Sequence, residues 1–300
     1  MKRAVSVSLG SSTRDKKVEI ELLGEKILIE RVGTDGDTAK ARQLFTELDG
    51  QVDALGVGGI DLSVGTAKRE YPLYNARKLV QDVRQTPVVD GRGLKYTLER
   101  RCMQYVEAQI GAELQPKRAM VNTGVDRYGM AQSLVEAGYE TIFGDLLFGL
   151  GIPIPLKRFQ SIELMAMVLG PVVGRLPIHV IYPTGKKQLE TIPKFTRWYN
   201  WATILAGDCV YTKRHMPPAL PGKTILTNTT TEADVERFRA AGVRYLITTT
   251  PRFQGRSFGT NMMESALVAV AGKGRALTRD ELTALITELD MHPSIEKLND

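Results

Sequence analysis

Hydrophobic and polar positions alternate from Arg3 to Leu9, which predicts a β-strand ending in the small polar loop Gly10-Ser11-Ser12-Thr13. Val18–Leu23 and Lys26–Val32, rich in Ile, Leu and Val, predict a hairpin around Gly24-Glu25. After the turn Gly33–Asp37, the segment Thr38–Leu48 sets Ala41, Leu44, Phe45 and Leu48 on one helical face, and Asp49-Gly50 stops it. Val52–Val57 reads as a buried strand ending in Gly58-Gly59-Ile60-Asp61. A helix over Tyr74–Arg84, a short strand over Pro87–Val89 and a long helix over Leu94–Gly111 follow. The pattern then repeats as a strand at Arg118–Asn122, a helix at Met130–Ala137 and a strand at Glu140–Phe143. Further strands are expected at Ile178–Tyr182, Asp208–Tyr211, Lys223–Thr227 and Arg244–Thr248. Helices are expected at Glu232–Ala241, Asn261–Val270 and Leu277–Leu289, the last capped near Thr278.

Strands alternating with helices predict an α/β chain with mainly parallel sheets covered on both faces. The expected division is an N-terminal α/β substrate domain over residues 1–115, a doubly wound nucleotide-type domain over 116–275, and a C-terminal helix over 276–300. Residues 146–203 are the least regular part. They hold Trp198 and Trp201 and several prolines, which suits a lid, a cofactor wall or a subunit interface, including that of a homodimer.

Composition narrows the function classes. With 300 residues and 43% hydrophobic content, two cores of ordinary size are expected. The net charge of +6 comes from scattered basic residues, with no run of the kind that forms a nucleic-acid tail. This excess suits a small anionic substrate and gives no reason to expect nucleic acid. The apolar stretch Leu164–Gly174 is too short for a membrane span, and no membrane partner is expected. Cys102 and Cys209 show no pairing motif, which suits a reducing cytoplasm. The three histidines have no metal-ligand spacing, so no metal is expected.

The strand–turn–helix at 118–138 carries two of the three glycines of a dinucleotide fingerprint. Gly124 and Gly129 take the first and third places, and Asp126 takes the middle one. Asp145 stands 21 residues after Gly124, where an acidic group binds a ribose diol and favours NAD over NADP. On this reading the cofactor contacts are Thr123, Gly124, Arg127, Gly129 and Asp145, with Asn228 at a later strand end. The alternative is that Asp126 caps the helix and the turn binds no nucleotide.

Val89-Asp90-Gly91-Arg92-Gly93-Leu94, followed by a long helix and a βαβ unit, resembles the shikimate and quinate 5-dehydrogenases, whose Asp-Gly-x-Gly-apolar motif precedes a Rossmann-type domain. The C-terminal run Gly259-Thr260-Asn261-Met262-Met263-Glu264 is similar to that family's Gly-x-Met-Leu-x-x-Gln helix start. Glu264 stands near the substrate-binding Gln. The family's Asn-x-Thr-x-Pro-x-Lys signature has no counterpart. The resemblance implies a catalytic Asp90, a catalytic lysine for which Lys68 and Lys95 are nearest, and a substrate loop at Ser8, Ser11 and Ser12.

A Lys–Asp pair suits oxidation of a secondary alcohol, because one group must accept the hydroxyl proton while hydride leaves. Asp61, at a strand end, is a further candidate. Arg252, Arg256, Ser257 and Asn261 before a helix suit an anion. The leading expectation is hydride transfer between NAD or NADP and a secondary alcohol of a small hydroxy carboxylic acid. The alternatives are another enzyme class on a Rossmann-like fold (isomerase, lyase or transferase) and a non-catalytic binding protein.

Overall fold

The computed structural model describes residues 1–182, 190–253 and 256–300. The first sheet has the order β2-β3-β1-β4-β7. Its strands are β1 (Lys2–Ser8), β2 (Lys16–Leu22), β3 (Glu25–Gly33), β4 (Ala54–Gly58) and β7 (Val88–Val89). A two-stranded ribbon, β5 (Ser63–Gly65) with β6 (Glu70–Pro72), stands apart between β4 and β7. β1 pairs in parallel with β3 on one side and β4 on the other, and β2 adds an antiparallel edge. The expected hairpin and first strand are therefore present.

Alternation along β1 sorts the two faces. Val5 and Val7 join Leu55 and Val57 under α1 (Thr38–Leu48), where Ala41 and Phe45 are buried. The short α2 (Tyr74–Arg77) covers the same face. It ends well before the expected Arg84, and the chain continues in turns. Ala4 and Ala54 line the opposite face with Ile27 and Ile29. Small residues there let α11 (Thr260–Ala271) lie close on β1 and β4. A Cβ on Gly56 would meet the Asn261 carbonyl at 3.0 Å. The helix expected over Leu94–Gly111 is split into α3 (Arg92–Tyr96) and α4 (Leu98–Ile110). The Thr97 hydroxyl donates back to the Gly93 carbonyl at 2.8 Å and interrupts the ladder.

The second sheet has the order β15-β12-β11-β10-β8-β9. Here β8 is Arg118–Val121, β9 Glu140–Phe143, β10 Ile204–Gly207, β11 Thr224–Thr227 and β12 Tyr245–Thr248. These five are parallel, and β15 (Ser294–Lys297), not foreseen, closes the edge antiparallel to β12. The strands β13 (Arg252–Phe253) and β14 (Arg256–Ser257) form a separate short ribbon. α5 (Tyr128–Glu136) and α4 cover one face of the sheet with Met103, Val106, Met130 and Leu134. The other face is covered by α8 (Thr196–Trp201), α9 (Cys209–His215) and α10 (Glu232–Ala240), through Tyr199, Cys209, Val235 and Phe238. The arrangement is α/β with doubly wound parallel sheets.

Two expectations are corrected. The strand placed at Asp208–Tyr211 lies one element earlier, at Ile204–Gly207, because the Asp208 carboxylate accepts from the Val210 amide and caps α9. Ile178–Tyr182, expected as a strand, forms the short helix α7 (Ile178–Ile181). The irregular middle also holds α6 (Phe159–Val173). α6 buries Ile162, Ala166 and Gly170 and leaves Leu164, Met167, Val168 and Val172 exposed. The last helix, α12 (Arg279–Glu288), starts in a capping box of Thr278 and Glu281 and packs on the first sheet's core through Leu282 and Ile286. No helix among the described residues is long and apolar enough to cross a membrane.

Candidate functional site

Each sheet reverses its strand order once, between β1 and β4 and between β8 and β10. In open α/β sheets the crevice at such a reversal, beyond the carboxyl ends of the strands, is where ligands gather. Both reversals line one cleft of about 470 Å³, within the range of small-molecule sites. Ser8, Gly58, Gly59 and Asp61 come from the first sheet. Asp126, Arg127, Asp208 and Asn228 come from the second.

Lys95, on α3, is the hinge of this wall. Its buried Nζ donates to Asp61 Oδ1 and Oδ2 at 2.9 and 2.8 Å and to Asp126 Oδ1 at 2.7 Å. The Tyr182 hydroxyl donates to Asp61 at 3.2 Å. Behind Asp126, Arg127 lies 3.1 Å from it, donates to Glu99 at 2.8 Å and reaches Asp208 at 2.8 Å. Two cations thus face four carboxyl groups in a buried place. They do not balance all four, which favours a proton on the most deeply buried carboxyls.

Burial decides which. It pushes the Asp61 carboxyl up to about 8, outweighing Lys95, with Asp126 adding to the rise. Burial also raises Glu99 despite Arg127, and Glu99 is fully enclosed. For Asp126 burial acts the same way, but Lys95 and Arg127 together hold it below the usual carboxylate range. Burial would lower Lys95, yet Asp126 and Asp61 hold it above an ordinary lysine, so it stays an ammonium. Burial and the neighbouring Asp61 raise the Tyr182 phenol. A neutral carboxyl that titrates near working pH, beside a fixed positive charge, is an arrangement for acid–base chemistry.

The turn after β8 does not fit a dinucleotide. The amides of Gly124 and Val125, expected to face a pyrophosphate, both donate to the Asp145 carboxylate at 2.9 Å. Asp145 is buried beneath the turn, pushed up to about 6 by burial, and is not free to hold a ribose. A Cβ on Gly124 would meet Asp145 at 3.0 Å, and one on Gly129 would collide with the Lys95 carbonyl. Both glycines are therefore explained by packing within the chain. Thr123 donates to Asn122 at 3.1 Å. Asn122 in turn fills the crevice between β8 and β10, where a Cβ on Gly207 would collide with its side chain.

The remaining expected residues divide. Asn228 lines the cleft and donates to Asp208 at 3.2 Å. Asp90 lines it too, but its carboxylate serves the turn, accepting from the Leu62 amide at 2.7 Å and the Arg92 amide at 3.2 Å. Asn261 lines the cleft and donates to Ser6. Ser8 lines it with its hydroxyl already taken by Arg31 at 2.9 Å and the Gly10 amide at 3.1 Å. Ser11 caps the short turn Ser12–Arg14, and Ser12 is exposed.

Lys68 does not line the cleft. Its side chain is 77% exposed on the β5–β6 turn and pairs with Glu163 at 3.0 Å. Glu264 does not reach the cleft either. It is buried beneath α3, accepts from the Leu94 amide at 3.4 Å, and is pushed up to about 8 by burial. The side chains of Arg252 and Arg256 lie outside the described residues.

Glu99, Asp208, Tyr182, Arg14 and Arg31 were not foreseen. Glu99 carried a signal: it shares the apolar stripe of α4 with Cys102, Met103 and Val106, where a charge needs a buried partner. Among the described residues, no group of three or more His, Cys, Asp or Glu side chains could hold a metal ion.

Residues 93–298 match the family model described as Domain of unknown function (DUF8754), and residues 3–90 match Domain of unknown function (DUF8753). No curated protein matches the chain. Among solved structures it is similar to an NAD-dependent malic enzyme from Thermotoga maritima. The identity is 12%, over 95% of this chain and 75% of that one, with a TM-score of 0.36. A periplasmic ribose ABC transporter protein from Conexibacter woesei is 12% identical over 93% and 88%, with a TM-score of 0.39. A Mycobacterium smegmatis protein in complex with β-D-fucofuranose is 9% identical over 98% and 99%, with a TM-score of 0.35. Likeness at this level carries no argument about what the chain binds.

Proposed function

The chain belongs to the DUF8754 family, and we propose that it is an enzyme moving a proton at a carbon next to a carbonyl group of a small substrate held in the cleft. The observation that carries this reading is Lys95 held between Asp61 and Asp126 at the cleft wall. As a carboxylate, Asp61 takes a proton from the carbon. The C–H electron pair becomes a C–C π bond, and the carbonyl π pair moves onto oxygen. Lys95 faces that negative charge with a fixed ammonium. Asp126 stays ionised and keeps the ammonium in place. Where the substrate carries an α-hydroxyl, that hydroxyl's proton moves to the enolate oxygen, Asp61, beside the Tyr182 hydroxyl, delivers its proton to the former carbonyl carbon, and the isomerisation is complete. Where it carries a β leaving group, the enolate pair expels that group with its bonding electrons in an elimination.

The same Lys95–Asp61 pair favours a second reading, hydride transfer between NAD(P) and a secondary alcohol of a hydroxy carboxylic acid. Such a reaction would need the dinucleotide to sit elsewhere than on the filled turn at Gly124.

A panel of small hydroxy and keto acids incubated with the protein in deuterium oxide separates the readings. Proton NMR should show loss of one C–H signal, slowed at least about 100-fold in Asp61→Asn. Exchange at the wild-type rate in that variant would contradict the assignment. Micromolar binding of NAD or NADP in calorimetry would move the weight to hydride transfer.

A further inference from the structure

Arg14 is the cleft's unsettled charge. It lies at the end of the short turn that follows β1, partly buried, and lines the cleft beside Arg31. Arg31 is fully engaged. Its guanidinium donates to Asp15 at 2.7 Å, to the Ser11 carbonyl at 3.0 Å and to Ser8 at 2.9 Å. Arg14 has no ion pair or side-chain hydrogen bond among the described residues. Asp15 is thus committed to Arg31, and Arg14 stands close enough to Arg31 to act on it as a like charge. Burial lowers Arg31 to about 10, with Arg14 the next cause and Asp15 and Asp35 opposing. Lys16 lines the same wall, with its Nζ on the Ser257 carbonyl at 2.6 Å.

We propose that Arg14, backed by Arg31, is the seat of an oxyanion carried by the cleft's ligand, a carboxylate or a phosphate. This rests on reading the cleft as the substrate site and makes the substrate an acid or a phosphoester as well as a carbonyl compound. A guanidinium presents a planar fork of donors that matches either anion, and a part-buried cleft strengthens the attraction. The opposing helix α10 is not the seat, because its first turn is closed by a capping box of Thr231 and Asp234. The serines of the β1 loop are not the seat either, since Ser8 already accepts two donors and Ser11 caps its own turn.

The test is calorimetric titration at low ionic strength with inorganic phosphate and, separately, with malonate. Wild type, Arg14→Gln, Arg14→Lys and Asp61→Asn are compared, with melting curves to confirm folding. Binding of one anion should weaken at least about tenfold in Arg14→Gln and recover in part in Arg14→Lys. Phosphate binding alone identifies a phosphoester substrate, and malonate binding alone identifies a carboxylate. Asp61→Asn should bind the anion as wild type does, which keeps this seat separable from the proton-transfer reading. If neither anion binds, if Arg14→Gln binds as well as wild type, or if sodium chloride at matched ionic strength competes equally, the proposal is overturned.

Discussion

At the end of β1 the chain turns through Ser8 and Gly10 and leaves backbone and an arginine along the wall of the cleft. At the end of β8 it turns through Thr123–Arg127 and packs the equivalent crevice with Asn122, Asp126, Arg127 and Asp145. Both are strand-order reversals of doubly wound sheets, the place where such folds take ligands. Both face the one cleft, but the turn after β8 spends its amides and carboxylates within the chain and also supports Lys95. Topology alone thus locates where a ligand can sit, and the side chains decide which groups each wall can offer it.

Removing the filling should break the comparison hardest. Arg127→Met strands Glu99 and Asp208 without their cation, and a loss of about 3–5 kcal/mol in urea unfolding is expected. A loss below about 1 kcal/mol would mean the crevice is not held by this network. Next comes Gly129→Ala, whose methyl group would strike the Lys95 carbonyl where α5 crosses α3. It should cost about 1–3 kcal/mol, whereas Gly149→Ala, with open space around it, should change little. Equal melting points for the two variants would refute the packing explanation of the fingerprint glycine.

Titration of a buried carboxyl adds a test through pH. Glu264, beneath α3, has its carboxyl raised from 4.5 to about 8 by burial. The folded state therefore holds the proton more tightly than the unfolded one. That contribution is complete below the ordinary value of 4.5 and is lost as pH rises through about 8. Wild type should lose melting temperature between pH 5 and 9 that Glu264→Gln keeps, at about 2–4 °C per kcal/mol of linked stability. Parallel curves would remove Glu264 from the account.

Most of the layered fold was legible in the sequence. The helix Thr38–Leu48, the strand Glu140–Phe143 and the cap at Thr278 were read directly, because each carries a period and a stop signal of its own. Asp208–Tyr211 misled because Cys209-Val210-Tyr211 is strand-like in composition while Asp208 is a helix cap. A single capping carboxylate outweighed local preference. α6 was missed because residues Leu164–Val173 are apolar almost all round and include Gly170 and Pro171, so no helical face stands out.

The site was only half legible for a different reason. Asp61 and Lys95 were both named, but they lie 34 positions apart, and only the packing of α3 against the first sheet brings them together. Asp126 was read as the middle residue of a dinucleotide fingerprint or as a helix cap. Its partner Lys95 turns it into a positioning group. Gly124 and Gly129 fit a motif spacing, yet their neighbours Asp145 and Lys95 account for both.

The most direct test of the central claim is a carbon-13 NMR titration of the aspartate side-chain carboxyls, in wild type and in Asp61→Asn. The account predicts one resonance with a midpoint near 8, as burial demands, and its disappearance in the variant. If Asp61 instead titrates in the ordinary carboxylate range, it holds no proton at working pH, and the Lys95 cluster is a structural ion pair rather than a centre of proton transfer.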